Sequence, residues 1–354
     1  MMKPIKRLGT TVLILTLSTA LPGCGGDHQS STVPVQPLVQ TDEVVGSGDA
    51  ADDPAVWIHP VNRQKSLILG TDKRYGLLVF DLAGNEIQRL ALGRLNNIAI
   101  LPRPDVLDGY AVGTHYSVHE IVVFGISATS GLVSILYRVP TRKMHPYGIC
   151  ATTDRRKHLV AVTYKDGTLE IGELIFDGER ALLRNHRTLR LESQLEGCVF
   201  DDHSRRLFVG EEDRGIWVVE YNDPGAHALL IDEVGSPSGL SADVEGLAIW
   251  QGRDGRGWLV ASAQGRSAFV VYDLAPPYQA KGSFRIAANP GLSSGSVTHT
   301  DGVDVVSVAL PDFPRGLLVA QDDNEAGSAG NQNFKLIHWG DVEIALSLPV
   351  YEMY

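Results

Sequence analysis

Residues Glu196 to Asp213 read EGCVFDDHSRRLFVGEED, and this stretch decides the fold. An acid precedes a short apolar run, GCVF. The polar turn DDHSRR then reverses the chain, and a second apolar run, LFVG, ends on three acids. This pattern predicts a β-hairpin. Because the strands of a hairpin are antiparallel, the start of the first and the end of the second lie at the same edge. We therefore expect Glu196 to meet Glu211, Glu212 and Asp213 there.

The same hairpin recurs along the chain. Its opening strands are PAVWI from Pro54, NNIAI from Asn96, YGICA from Tyr147, EGCVF from Glu196, EGLAI from Glu245 and DGVDV from Asp301. The starts lie 42 to 56 residues apart, which is the scale of one four-stranded propeller blade. A third apolar strand follows each hairpin, and a more polar fourth run completes most sets. The pattern predicts an all-β fold, a six-bladed β-propeller of four-stranded antiparallel blades around a central channel, over residues 42–354.

Composition fits this fold and narrows the function. The chain has 354 residues, 44% of them hydrophobic, with 37 Gly and a net charge of −11. Two average domains would have this length, but β folds of this kind run longer as one domain. The acidic excess is either a solvated surface or a set of cation ligands, and it argues against a nucleic-acid partner. The sequence has no zinc-type Cys/His spacing, no G-x-S-x-G elbow and no P-loop.

The first 24 residues are typical of a targeting segment. Three cations precede an apolar run, Leu8 to Leu21, which is shorter than the ~20 residues that span a bilayer. The run ends in LPGC, with Cys24 in the position of a bacterial lipoprotein box; the alternative is a plain secretory signal. We expect export, lipidation of Cys24 and anchoring at the bacterial outer membrane or cell surface. Residues 25–41 are expected to form a flexible tether, and Leu38–Val45 is a candidate to pair with the last blade.

Two further cysteines, Cys150 and Cys198, lie in opening strands. An exported protein can join such a pair. Aligning the repeats places Cys150 level with Val199, one residue out of register with Cys198. In strands of period two this offset points the side chains to opposite faces. We therefore expect two separate buried thiols rather than a disulfide.

Six hairpins deliver polar residues to one mouth of the channel. Crowded carboxylates raise one another's pKa, and a hard divalent cation relieves this. Calcium, which takes 6–8 oxygens from carboxylates, amides and carbonyls, suits this set better than magnesium or zinc. The alternative is that these residues only cap turns. The candidate metal ligands are Asp52, Asp53, Glu196, Glu211, Glu212, Asp243, Glu245, Gln264, Asp301 and Asn324.

Lys73, Lys165 and Arg266 share this acidic rim. They either pair with the carboxylates, which we favour for Arg266, or bind an anionic substrate such as a phosphate ester. In the second case a metal-activated water attacks phosphorus while metal and lysine hold the developing charge. This route needs no nucleophilic Ser or Cys, and none is evident.

The chain resembles the β-propeller phytases, also called alkaline or 3-phytases. The resemblance runs in order across almost all of residues 42–345. It rests on DDPAVWIHP from Asp52, TDKRYGLLVFDL from Thr71, LNNIAI from Leu95, PYG from Pro146, VTYKDG from Val162, EGCVFDD with GEED, DVEGLAIW from Asp243, ASAQG from Ala261, TDGVDV from Thr300, VAQDDN, and NQNFKLIHW from Asn331.

The resemblance implies calcium-dependent, stepwise hydrolysis of phytate (myo-inositol hexakisphosphate). Bound calcium ions bridge enzyme acids to substrate phosphates, and one site cleaves while its neighbour holds a second phosphate. Asn324 and the Asn331–Asn333 segment match a structural calcium site. We expect a monomer acting on the calcium complex of phytate or a related ester. Calcium or water-activating positions are matched by Asp52, Glu196, Glu212, Asp243, Glu245, Gln264 and Asp301, and phosphate-contacting positions by Lys73, Tyr147 and Lys165.

Three departures from the family pattern keep other functions open. Where the family usually has Asn-Asn-Val-Asp, this chain has Asn-Asn-Ile-Ala, ending at Ala99, and His299 replaces the first acid of Asp-Thr-Asp-Gly. A phosphate-contacting arginine of the family falls near Tyr116, and Arg142 or Lys143 are candidates to replace it. Weaker activity or another phosphate ester is compatible with these losses. Two further alternatives are a different metal-dependent esterase, such as a lactonase or phosphodiesterase, and a non-catalytic ligand-binding propeller.

Overall fold

The computed structural model describes residues 1–2, 32–103, 106–292, 295–323 and 331–354. Cys24, the rest of the targeting segment and Asn324 therefore lie outside the described residues. The first two strands among the described residues, β1 (Val33–Val35) and β2 (Val39–Gln40), join blades formed much later in the sequence.

Six sheets follow, each a meander that runs from the channel outward. Blade 1 comprises β3 (Ala51–Trp57), β4 (Leu67–Asp72), β5 (Gly76–Phe80) and β6 (Glu86–Ala91). Blade 2 comprises β7 (Leu95–Ile100), β8 (Gly109–His115), β9 (Glu120–Ile126) and β10 (Val133–Pro140). Blade 3 comprises β11 (Pro146–Asp154), β12 (Lys157–Tyr164), β13 (Thr168–Asp177) and β14 (Arg180–Arg190).

The second half of the chain repeats this plan. Blade 4 comprises β15 (Leu195–Asp201), β16 (Arg206–Glu211), β17 (Gly215–Glu220) and β18 (Leu229–Glu233). Blade 5 comprises β19 (Val244–Gln251), β20 (Gly257–Ala263), β21 (Ala268–Asp273) and β22 (Ala280–Ile286). Blade 6 comprises β23 (Val303–Val306), β24 (Leu317–Asp322) and β25 (Asn333–His338), followed by helix α1 (Trp339–Ala345).

The inner strands contact their neighbours around the whole ring, from β3 through β7, β11, β15 and β19 to β23 and back to β3. The predicted six-bladed β-propeller is therefore confirmed. Burial follows the same plan: the inner strand β3 is buried throughout, whereas the outer strand β14 alternates between exposed and half-buried residues. Inner strands are covered on both faces by adjacent blades, and outer strands meet solvent. Six apolar clusters form the core, one at each interface between blades.

The N-terminal strands close the ring. Strand β2 pairs antiparallel with β25 as the fourth strand of blade 6, so the candidate segment Leu38–Val45 does pair with the last blade. Strand β1 adds a fifth strand to blade 5, parallel to β22. Residues 33–40 thus belong to the propeller, although their composition predicted a tether. Among the described residues, no helix has the length and apolar character needed to cross a membrane.

The prediction of two free thiols is wrong, because Cys150 and Cys198 form a disulfide with their Cα atoms 5.6 Å apart. The two residues lie on β11 and β15, the inner strands of adjacent blades. The rule that an offset of one residue points side chains to opposite faces applies to strands of one sheet. Between two blades, one face of the first packs on the opposite face of the second, so side chains of opposite parity meet.

Candidate active site

The mouth is built where inner strands begin and second strands end. In blade 4, Leu195 pairs with Glu211, which places Glu196 and Glu212 at the same edge, as the hairpin pattern predicts. Backbone hydrogen bonds join this edge to the following blade, since the amide of Val244 donates to the carbonyl of Glu212 over 3.1 Å. The repeat therefore brings acids of different blades together.

A glycine follows the mouth residue in four of the six inner strands, and close backbone approach requires it. A Cβ on Gly148 would collide with the carbonyl oxygen of Glu196, and a Cβ on Gly197 with that of Glu245. The recurring pair of a mouth residue and a glycine thus has a packing cause. The backbone of the mouth residue in the next blade fills the space that a side chain on the glycine would need. The four pairs are Tyr147-Gly148, Glu196-Gly197, Glu245-Gly246 and Asp301-Gly302.

Three glutamates form the centre of the site. Each of Glu196, Glu212 and Glu245 offers a carboxylate oxygen, and these oxygens lie within 4.8 Å of one another. The residues are 3%, 9% and 6% exposed, respectively. They come from blades 4 and 5, so only the assembled ring creates this arrangement.

Burial makes these glutamates hard to ionise. It raises the pKa of both Glu196 and Glu245 well above the ordinary range, and the charge of Glu196 raises the pKa of Glu245 further. The pKa of Glu212 rises to about 7, first through burial and then through the charge of Asp243. Unpaired carboxylates in low dielectric favour the neutral form, and a nearby positive charge stabilises the ionised form instead. The cluster is therefore suited to bind a positively charged ligand.

A second acidic group lies beside the glutamates. Lys73 Nζ lies 2.9 Å from Asp301 Oδ2, 2.5 Å from Asp49 Oδ1 and 3.6 Å from Asp52 Oδ1. Gln264 Nε2 donates to Asp301 Oδ1 over 2.5 Å. Burial raises the pKa of Asp301 to about 7 and also raises that of Asp52. Lys73 is thus already committed to three carboxylates of the protein.

Asp53 lies in the channel itself. Its Oδ2 atom accepts a hydrogen bond from the amide of Ile98 over 3.0 Å, and burial raises its pKa. Together with Asn97, Asp304 and the disulfide it lines a cavity of about 300 Å³. Asp53 is therefore held by the backbone of blade 2, and the charges of Asp52, Asp304 and Glu196 raise its pKa further.

Other predicted residues surround the centre. Glu211 is fully buried and accepts hydrogen bonds from the amides of Glu192 and Ser193 and from Trp217 Nε1, so both of its oxygens are bound by protein donors. Asp243 lies near Glu212, and its carbonyl accepts from the amide of Gln264. The exposed Arg266 donates to the carbonyl of Gly239 over 3.1 Å, a backbone partner rather than the carboxylate we favoured.

Two cations on aromatic rings complete the mouth. Lys165 Nζ lies 4.0 Å from the centroid of the Tyr147 ring, and Tyr147 itself is buried among the acids, which together with burial raise the pKa of its hydroxyl. Arg94 lies with Cζ 4.2 Å above the centroid of the Tyr116 ring. Arg94 was missed from sequence; the available signal was its place directly before the inner strand of blade 2. The candidate Lys143 instead pairs with Asp166.

The residues present fit a hard divalent cation. Asp52 Oδ2 and Glu245 Oε2 are buried and have no hydrogen-bond partner within the described part of the chain. Burying such oxygens without compensation is costly. Calcium accepts 6–8 oxygen ligands in loose geometry, and this mouth offers carboxylates and an amide from several blades.

Comparison with known proteins finds a curated enzyme of similar sequence. The 3-phytase of Bacillus subtilis (strain 168) is 30% identical to this chain over 349 residues, which cover 93% of this chain and 90% of the relative. Among solved structures, BBS1N in complex with ARL6DN has a TM-score of 0.49 at 13% identity, covering 80% of this chain and 78% of that one. A functionally unknown protein from Desulfotomaculum acetoxidans DSM 771 has a TM-score of 0.48 at 14% identity, covering 69% and 84%.

A family model described as Phytase matches residues 6–349, a span that contains every blade and every acid of the mouth. With that match and the 30% identical 3-phytase, the chain belongs to the phytase family.

Proposed function

We propose that this protein is a calcium-dependent phosphomonoesterase that hydrolyses phytate to lower inositol phosphates and phosphate. The observation that carries the proposal is the convergence of Glu196, Glu212 and Glu245, whose oxygens lie within 4.8 Å in a buried site. Family membership supports the substrate class, and the donor set supports the metal.

The glutamates, together with Asp52, Asp243, Gln264 and Asp301, are the residues that would hold calcium. When bound, calcium supplies the positive charge that lets an acidic mouth accept an anionic ester and polarises the phosphoryl group. Glu212 is the most exposed of the three glutamates, so it is the one best placed to accept a proton from an attacking water.

The remaining residues bind and orient the ester. Lys165 stands on the Tyr147 ring and makes no ion pair with a described residue, so its ammonium can donate to a substrate oxygen. Lys73 keeps Asp301 and Asp52 in place and contributes positive charge where charge develops in the transition state.

The test is phosphate release from calcium phytate by the purified mature protein near neutral pH, with and without chelator. Activity that depends on calcium is expected, and no release at any calcium level would overturn the proposal. Glu212→Gln should reduce turnover at least ~100-fold while the fold is retained, because the proton acceptor is lost. Glu233→Gln is the matched control, since Glu233 lies on the outer strand β18 and pairs with Arg214.

A substrate panel separates the alternatives. Turnover of a lactone or phosphodiester, but not of phytate, would replace this proposal with another metal-dependent esterase. Calcium-dependent retention of phytate without product would indicate a binding protein.

We also propose that the protein is exported and anchored through a lipid on Cys24, as the LPGC sequence suggests. Cys24→Ser should release the protein from the membrane fraction and abolish incorporation of labelled palmitate. Membrane association that persists in this variant would exclude the lipid anchor.

A further inference from the structure

Arg94 lies in the connection between the outer strand β6 of blade 1 and the inner strand β7 of blade 2. Its guanidinium stacks on Tyr116, and its Nε atom donates to Asn96 Oδ1 over 3.3 Å. The backbone is fixed as well, because the amide of Tyr116 donates to the carbonyl of Arg94 over 3.1 Å. Both ends of the residue are thus held against the end of strand β8.

Among the described residues, the guanidinium of Arg94 has one hydrogen-bond partner, the side chain of Asn96. The residue forms no ion pair in the described part of the chain, whereas Lys73 is surrounded by three carboxylates. Half-burial and one neutral amide contact leave the Nη donors of a planar guanidinium available. Such a group matches the geometry of phosphate oxygens and forms paired hydrogen bonds with them.

The stacked arginine also lies close to the acidic centre. After burial and the stronger effects of Lys73 and Asp49, its charge acts on Asp52 and lowers the pKa of that carboxyl. Arg94 therefore lies beside the site proposed for calcium and acts on Asp52 at a distance, without forming an ion pair with a described acid.

Aromatic rings lie between Arg94 and Lys165, the other mouth cation that forms no ion pair with a described residue. Tyr116 lies 4.6 Å from the ring centroid of His145 and 6.1 Å from that of Tyr147, on which Lys165 stands. Arg94 and Lys165 thus both stack on one group of contacting aromatic rings at the rim of the mouth. Stacking restricts both long side chains before any ligand arrives, which lowers the entropy cost of binding.

We infer that Arg94 binds a phosphate group of the ester substrate. This inference rests on the proposed function. Arg94 acts in binding, so its removal weakens the substrate complex without removing a group that touches the reacting bond.

Steady-state kinetics with calcium phytate tests the assignment through three variants. Arg94→Gln should raise KM at least ~10-fold and change kcat less than ~3-fold, because a charged hydrogen-bonded contact is lost. Arg94→Lys should recover part of the loss, since charge returns without the planar fork. Arg89→Gln is the control: this exposed arginine on β6 pairs with Glu86 away from the mouth and should leave both constants unchanged.

Calorimetric titration of the same variants with phytate in calcium buffer keeps the inference independent of turnover. An inactive wild type that still binds phytate more tightly than Arg94→Gln would overturn the proposed hydrolysis but uphold Arg94 as a phosphate contact. Unchanged KM and affinity in Arg94→Gln would overturn it. Loss of activity that follows a lowered melting temperature, with no recovery in Arg94→Lys, would assign Arg94 a structural role and also overturn it.

Discussion

Lys73 and Asp301 form an ion pair across the mouth, with Nζ and Oδ2 2.9 Å apart and both side chains largely shielded from water. Two further acids, Asp49 and Asp52, contact the same ammonium. Without bound metal, this one lysine compensates much of the negative charge on this side of the channel.

Lys73→Met should therefore destabilise the metal-free protein by about 3 kcal/mol, because removing one partner leaves buried carboxylates uncompensated. Calcium should restore part of the loss, since a ligand that binds only the folded state stabilises it. The measurement is thermal unfolding in chelator and in calcium. Lys281→Met, which removes a half-exposed pair with Asp273, is the control. An equal loss of melting temperature in both buffers would contradict the idea.

Stability of the metal-free protein should fall as pH rises from about 4 to 7. Glu212 and Asp301 have pKa values of about 7 in the folded protein, mainly through burial, whereas carboxyls of an unfolded chain titrate near pH ~4. In that interval the folded state holds more protons than the unfolded state, so raising the pH favours unfolding by about 3 to 4 kcal/mol per group.

Melting temperatures in chelator across this pH range check the sign, and calcium should flatten the profile. Glu212→Gln should show a shallower decline, since one of the titrating groups is gone. A melting temperature that climbs steadily from pH 5 to pH 8 in chelator would show that the buried acids do not control stability.

Gly197→Ala should destabilise the protein by more than about 3 kcal/mol, because the new methyl group meets the backbone of Glu245, which has no room to move. Gly225→Ala is the comparison, since the nearest atom to its Cβ is Asp223 Oδ1 at 3.4 Å. Denaturant unfolding of both variants tests the packing role of the glycine. Equal, small changes in the free energy of unfolding of the two variants would show that the inner strands of neighbouring blades can move apart at little cost.

Reduction of the disulfide should lower stability by about 4 kcal/mol, as expected from closing a loop of 48 residues in the unfolded chain. Unfolding with and without reductant measures this difference. A Cys150→Ala, Cys198→Ala double variant should be insensitive to reductant. Two free thiols titrated in the unfolded, non-reduced protein would contradict the linkage.

Much of the fold was predictable because each blade repeats one hairpin. The alternation of apolar runs and turns gave six units, and antiparallel pairing then placed Glu196, Glu212 and Glu245 at one edge. The short strands β1 and β2 were not predictable in this way, since three and two residues carry no periodicity.

The misses in the site share a cause: they depend on contacts between blades. The partner of Cys150 is decided by how two sheets face each other, and a repeat alignment treats them as one. Arg94 stands outside the repeated strands, and its stacking on Tyr116 joins a connecting segment to the end of another strand. The donors around Glu211 come from the preceding connection, which has no repeated pattern.

The parallel pairing of β1 with β22 sets the direction in which the polypeptide joins the ring. Val33 lies opposite Phe284 and Val35 opposite Ile286, and β22 runs toward the mouth from the far side. The chain therefore enters blade 5 from the side of the propeller opposite the mouth. If the proposed lipid on Cys24 anchors the protein, the attachment lies on the side of the propeller opposite the mouth. The acidic mouth would then face away from the cell, toward solutes that arrive from outside.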